Sequence, residues 1–197
     1  MSGIVDFERY GGRKASFYSM QARALDALGM YRGARDIPWA EIHQLVFVCK
    51  GNICRSPYAA ERARHSGARA VSCGLGATDG SAADPDAVHN ASRRGIDLSA
   101  HRSRAFDARN LWDSDLVILF EPVQLVEARR RIGARAIHLT LLGLWSQPRL
   151  PYLHDPYGLS DRYFERCYAV IDSGVRTIVQ QMSAQLRNRT GHAWDER

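Results

Sequence analysis

The stretch Val48 to Pro57, VCKGNICRSP, holds a cysteine and an arginine separated by five residues, with a serine directly after the arginine. Those residue types at that spacing suit a phosphate. The planar fork of Arg55 can grip two phosphate oxygens at once, which a lysine cannot do. Gly51 permits unusual backbone angles, so the loop formed by Lys50, Gly51, Asn52, Ile53 and Cys54 can turn its amides inward as a nest for negative charge. So much positive partial charge favours the ionised, nucleophilic form of the Cys49 thiol. Ser56 can donate to the same sulfur, and the side chain of Asn52 is suited to holding the loop in shape. Cys49 is therefore the candidate nucleophile. The loop is not of the nucleotide-binding type, because no Gly-Lys-Ser/Thr follows its glycine.

Such a loop works only if rigid elements present it. Gln44 to Cys49, QLVFVC, reads as a buried strand rich in β-branched and aromatic residues. Ser56 offers an N-cap and Pro57 fits the first helical position, predicting a helix from there to about His65. Arg69 to Cys73 predicts a second strand, and Pro85 to Arg94 a helix ended by Gly95. Asp115 to Phe120 is a third strand, Gln124 to Ile132 a helix, and Arg135 to Thr140 a fourth strand. A long helix over Ser160 to Leu186 carries Tyr163, Tyr168, Ile171, Val175 and Ile178 on one apolar stripe. Strands alternating with helices predict an α/β fold: a three-layer arrangement with a central four-stranded parallel sheet flanked by helices. In such sheets ligands sit beyond the carboxyl ends of the strands, where Cys49 falls.

The chain changes character near Trp39. Residues 1–42 form an N-terminal extension with one predicted helix, Ser16 to Met30, whose Phe17, Met20, Ala24 and Leu28 have helical spacing. Residues 43–188 form the main domain and residues 189–197 a tail. At 197 residues the chain can bury one sizeable core and not two comfortable ones. No apolar run is long enough for a membrane span, and the charged N-terminus lacks a secretory h-region, so the expected location is the cytoplasm with no membrane insertion. Four cysteines in a chain of this size do not make a disulfide scaffold; Cys73 and Cys167 are assigned to the core. The net charge of +6 is spread along helical segments without interleaved aromatics, which argues for a solvated surface that steers anionic partners and against nucleic-acid binding.

Val48 to Pro57 resembles the active loop of the low-molecular-weight protein tyrosine phosphatases, V-C-x-G-N-I-C-R-S-P, and the likeness extends from about Gln44 to Met182. The resemblance implies hydrolysis of phosphotyrosine through a cysteinyl-phosphate, with no cofactor and no metal. A departing phenolate needs a proton, and the following water a base; one carboxylic acid can serve both. Taken alone, Asp155 in HDPYG (His154 to Gly158) reads more readily as a turn residue. The family carries its general acid in a D-P-[YF] loop at this place in the chain order, so the resemblance assigns Asp155 that role and Tyr157 to a pocket wall. It likewise implies that Ser72 in SCG and His101 in HRSR support the loop asparagine. Cys73 and Ser103 stand where the family usually has alanines. Cys54 matches a loop cysteine that pairs reversibly with the nucleophile under oxidation.

The stretch Ser72 to Pro85 has no aromatic near Thr78, and its GLGA and ADP resemble the bacterial polysaccharide-associated subgroup. Leu75 or Thr78 is then expected to border the pocket. By the same resemblance the partner is a phosphotyrosine protein, in particular the tyrosine-rich tail of an autokinase controlling polysaccharide export. Two other readings remain at this stage. An arsenate reductase on the same fold needs two further closely spaced cysteines, where this chain has Cys73 and the distant Cys167. A non-catalytic phosphotyrosine-binding module has no use for an acid at the leaving-group side. The oligomeric state is open.

Overall fold

The computed structural model describes residues 10–191. Four strands, Gln44–Cys49 (β1), Ala70–Gly74 (β2), Asp115–Leu119 (β3) and His138–Leu141 (β4), form one sheet in the order β2-β1-β3-β4, with every neighbouring pair parallel. Val48 lies opposite Cys73 on one side and Leu119 on the other, so β1, β2 and β3 end side by side. That places the residues after β1 and β3 at the same edge of the molecule.

Alternation along β1 sorts its side chains between two cores. Leu45 and Phe47 join Leu116 and Ile118 of β3 in one cluster, and Val46 and Val48 join Val117 and Leu119 in another. The first is covered by helices Arg55–His65 (α2), Pro85–Ser92 (α3) and Asp161–Gly191 (α5). The second is covered by Pro122–Ile132 (α4) through Ala128 and Ile132. The three-layer expectation holds. All five residues of the predicted stripe on the long helix are buried, and burying a side chain such as Phe164 contributes about 1.5–3 kcal/mol. Tyr58 of α2 stacks on Tyr168 of α5 with ring centroids 3.7 Å apart, locking the helix that follows the phosphate loop to the longest helix of the fold.

Three local expectations are corrected. Ser56 does not cap α2: the helix opens at Arg55, Cys54 occupies the cap position without a side-chain cap bond, and the Ser56 hydroxyl faces the sulfur of Cys49. The fourth strand is shorter than predicted, because Arg135 folds back to donate to the carbonyls of Ala108 and Leu111. The N-terminal helix runs from Arg13 to Ala27 (α1) and buries the opposite side from the one expected. Ala15, Ser16, Ser19 and Ala22 face inward, while Phe17, Met20 and Leu28 are 64%, 67% and 76% exposed. Small residues win that face because α1 lies close against Tyr152, with Ala15 and Ala22 in contact with it.

Candidate active site

Cys49, at the last position of β1, is buried, and its Sγ lies within hydrogen-bond reach of two groups. The backbone N–H of Asn52 points at it from 3.3 Å, and the Ser56 hydroxyl lies 3.0 Å away. Asn52 organises this turn. It is the one non-glycine residue with positive φ among the described residues, at 55°, a conformation asparagine tolerates better than most. Its side-chain amide donates to the hydroxyls of Ser56 (2.8 Å) and Ser72 (2.9 Å), and its side-chain oxygen accepts from the Arg104 N–H at 2.8 Å. Its carbonyl accepts from His101 Nε2 at 2.7 Å, which fixes the proton on that nitrogen. Burial lowers the His101 pKa and outweighs the opposing pull of this bond, keeping the ring neutral. Gly74 at the end of β2 makes the close approach possible, since a Cβ there would sit 2.7 Å from the Lys50 carbonyl and 2.9 Å from the Asn52 nitrogen.

Arg55, in the first turn of α2, is fully buried. Its Nη1 donates to Glu121 Oε1 at 2.5 Å and to the Leu153 carbonyl at 2.8 Å. Its Nη2 lies 2.7 Å from Asp155 Oδ2, a charge contact without hydrogen-bond alignment, so Nε and Nη2 together have no hydrogen-bond partner among the described residues. That is the edge of the guanidinium suited to two phosphate oxygens. Burial alone would lower the Arg55 pKa, but the carboxylates of Asp155 and Glu121 outweigh it and hold the group above its usual range. The guanidinium also stands over the Phe120 ring, 5.6 Å from its centroid.

Glu121 was not anticipated. The signal available was a carboxylate directly after a fully buried strand, at the sheet edge where Cys49 also ends. Gln124 Nε2 donates to the same carboxylate oxygen at 2.8 Å, so Glu121 is itself held in place.

Cys49, Lys50, Gly51, Ile53, Cys54, Gly76, Asp155 and Tyr157 line a pocket of 240 Å³. The nucleophile candidate and the acid candidate, far apart in sequence, thus share one cavity. Leu75 and Thr78, expected at its border, do not line it. Leu75 packs against the core cluster that includes Val46 and Val48, and the Thr78 carbonyl accepts the Ser103 hydroxyl at 2.5 Å. Gly76 takes that place because the turn after β2 ties its N–H to the Lys50 carbonyl at 2.9 Å. Ser103, buried, also accepts from the Ser81 N–H, so the family-divergent serine braces the turn. The Cys54 thiol is pushed well up by burial and held protonated. Burial also pushes the Cys73 thiol up to about 12, and Cys167 is enclosed in the core. Among the described residues, no helix is long and apolar enough to cross a membrane.

A family model described as low molecular weight phosphotyrosine protein phosphatase matches residues 44–188. The chain is 34% identical over 145 residues to a protein of Ralstonia nicotianae named probable low molecular weight protein-tyrosine-phosphatase EpsP, covering 73% of this chain and 98% of that one. It is 30% identical over 145 residues to the low molecular weight protein-tyrosine-phosphatase Wzb of Salmonella typhi, covering 73% and 96%. Among solved structures, the crystal structure of the Erwinia amylovora tyrosine phosphatase AmsI superimposes with a TM-score of 0.67 at 28% identity, over 72% of this chain and 94% of that one. The matched family segment begins at the first residue of β1 and leaves α1 outside.

Proposed function

The chain belongs to the low molecular weight phosphotyrosine protein phosphatases and is an enzyme of that class, and we propose that Cys49, Arg55 and Asp155 carry its reaction. The Cys49 thiolate attacks the phosphorus of a phosphotyrosine. The S–P bond forms as the bond from phosphorus to the tyrosyl oxygen breaks, and the Asp155 carboxyl gives its proton to that oxygen. A water molecule then attacks the cysteinyl-phosphate, Asp155 takes its proton, and the P–S bond breaks to return the thiolate and inorganic phosphate. Arg55 binds two equatorial oxygens through its Nε and Nη2 edge, which makes no hydrogen bond among the described residues, while Glu121 and the Leu153 carbonyl hold its remaining end. The Ser56 hydroxyl stabilises the sulfur as leaving group in the second step. Asn52, with Ser72 and His101 behind it, keeps the loop amides aimed at the phosphate. Ile53, Gly76 and Tyr157 wall the ring of the substrate.

The observation that carries this reading is the shared pocket of Cys49 and Asp155, with the Arg55 fork beside Asp155. A buried ionic site of this composition suits an oxyanion ester better than a neutral ligand. The substrate we favour is a phosphotyrosine protein in the cytoplasm, the tyrosine-rich tail of an autokinase in polysaccharide export. The likeness of GLGA and ADP to that subgroup and the net charge of +6 support it. The redox partner we favour for Cys49 under oxidising conditions is Cys54, a reading supported by the place of both in the lining of one pocket.

The test is phosphate release from p-nitrophenyl phosphate in EDTA. Activity should vanish in Cys49→Ser and fall by about 10²–10⁴ in Asp155→Asn, as loss of a general acid does. An active Cys49→Ser enzyme would sink the mechanism.

A further inference from the structure

The acid loop is held from two sides, and only one of them belongs to the matched family segment. On the sheet side, Leu153 donates its N–H to the Phe120 carbonyl at 2.8 Å and accepts from Arg55. On the other side lies the N-terminal extension. Gly11, at φ 81°, sits so close that a Cβ would stand 2.5 Å from His154 Cδ2, 3.1 Å from the Tyr163 ring and 3.2 Å from Leu159. Ala15 and Ala22 of α1 close on Tyr152, and the Tyr18 ring lies 5.8 Å from the Tyr152 ring. Asp26 of α1 pairs with Arg149 at 3.5 Å. Tyr152 passes this constraint on, because its hydroxyl and His154 Nδ1 are 3.0 Å apart.

Asp155 follows His154 directly and has little else to aim it. Residues 152–156 have no regular secondary structure, and among the described residues the carboxylate accepts, beyond its charge contact to Arg55, only a long 3.4 Å bond from the Tyr157 N–H. Its direction is therefore set by its neighbours. We propose that residues Gly11 to Ala22 position the general-acid loop, clamping Tyr152 and His154 so that Asp155 is held over the leaving-group oxygen. Gly11, Tyr152 and His154 are positioning residues in this scheme, and the N-terminal extension is a working part of the phosphatase. The inference rests on Asp155 being the acid.

An acid out of place harms poor leaving groups far more than good ones, since a good leaving group departs without a proton. The experiment compares kcat/KM for phenyl phosphate and 2,4-dinitrophenyl phosphate in the full-length enzyme. Gly11→Val, which forces a side chain into His154, should lose about tenfold to a hundredfold on phenyl phosphate and change little on the dinitrophenyl ester. Tyr152→Phe, which keeps the ring and removes one hydrogen bond, should show a smaller loss of the same pattern. Asp155→Asn should show the pattern in full, and adding Gly11→Val to it should cost nothing more. Equal losses on both esters, no loss in either variant, or an additive loss in the double variant would overturn the clamp while leaving Asp155 as the acid. An Asp155→Asn enzyme that did not discriminate between the esters would overturn the acid assignment and the clamp with it.

Discussion

At the scale of single residues, Asn52 and Glu121 show two ways a side chain serves a reaction without touching the reacting atoms. Asn52 uses its side-chain amide, side-chain oxygen and carbonyl, each with a partner outside the reacting atoms, while holding a left-handed backbone. Asn52→Ala should cost about 2–4 kcal/mol, from the strained φ and from the buried groups left unsatisfied. Asn52→Gly should recover only the backbone share, and the difference in urea midpoint between the two variants measures it. Glu121 acts through charge: its carboxylate holds one end of Arg55 so that the other end is presented. Glu121→Gln keeps the shape and weakens that grip, and kcat/KM should fall about tenfold because the fork loosens. An unchanged value would mean that the Leu153 carbonyl suffices.

At the scale of elements, the parallel sheet explains why these residues meet. Strands β1 and β3 run side by side, so Cys49 and Glu121 emerge at one edge, and α2 carries Arg55 between them. The helix α1 obeys a different rule. Its apolar residues have helical spacing, yet its inward face is Ala15, Ser19 and Ala22, because close contact with Tyr152 admits only small side chains. Ala22→Leu should therefore destabilise by about 1–3 kcal/mol through overpacking. Met20→Gln, on the exposed side, should leave the thermal midpoint nearly unchanged. A larger effect at Met20 than at Ala22 would mean that the expected face is the buried one after all.

At the scale of the whole molecule, two half-buried histidines link stability to pH. Burial lowers the pKa of His154, with Glu121 opposing, and lowers that of His101, with its bond to Asn52 opposing. The unfolded chain then binds more protons than the native one below the ordinary histidine value of about 6.5. This share of stability is whole above that pH and is lost as pH falls from there towards the lowered native values. Urea midpoints between neutral and mildly acid pH should decline, and His154→Gln should make the decline shallower. Much of the rest was legible in the amino-acid order. The loop from Cys49 to Ser56 is contiguous, its strand and helix carry their own periodicities, and four β-rich segments separated by helices leave few folds to choose from. These are local properties, decided by neighbours in the chain. What the order of residues did not disclose is non-local. Glu121 beside Arg55, Gly76 in place of Leu75 and Thr78 at the pocket, the inward face of α1 and the contact of Gly11 with His154 depend on which surfaces the folded chain brings together. Spacing sets which side chains share a face of an element, and only tertiary packing decides which face is buried and what it meets.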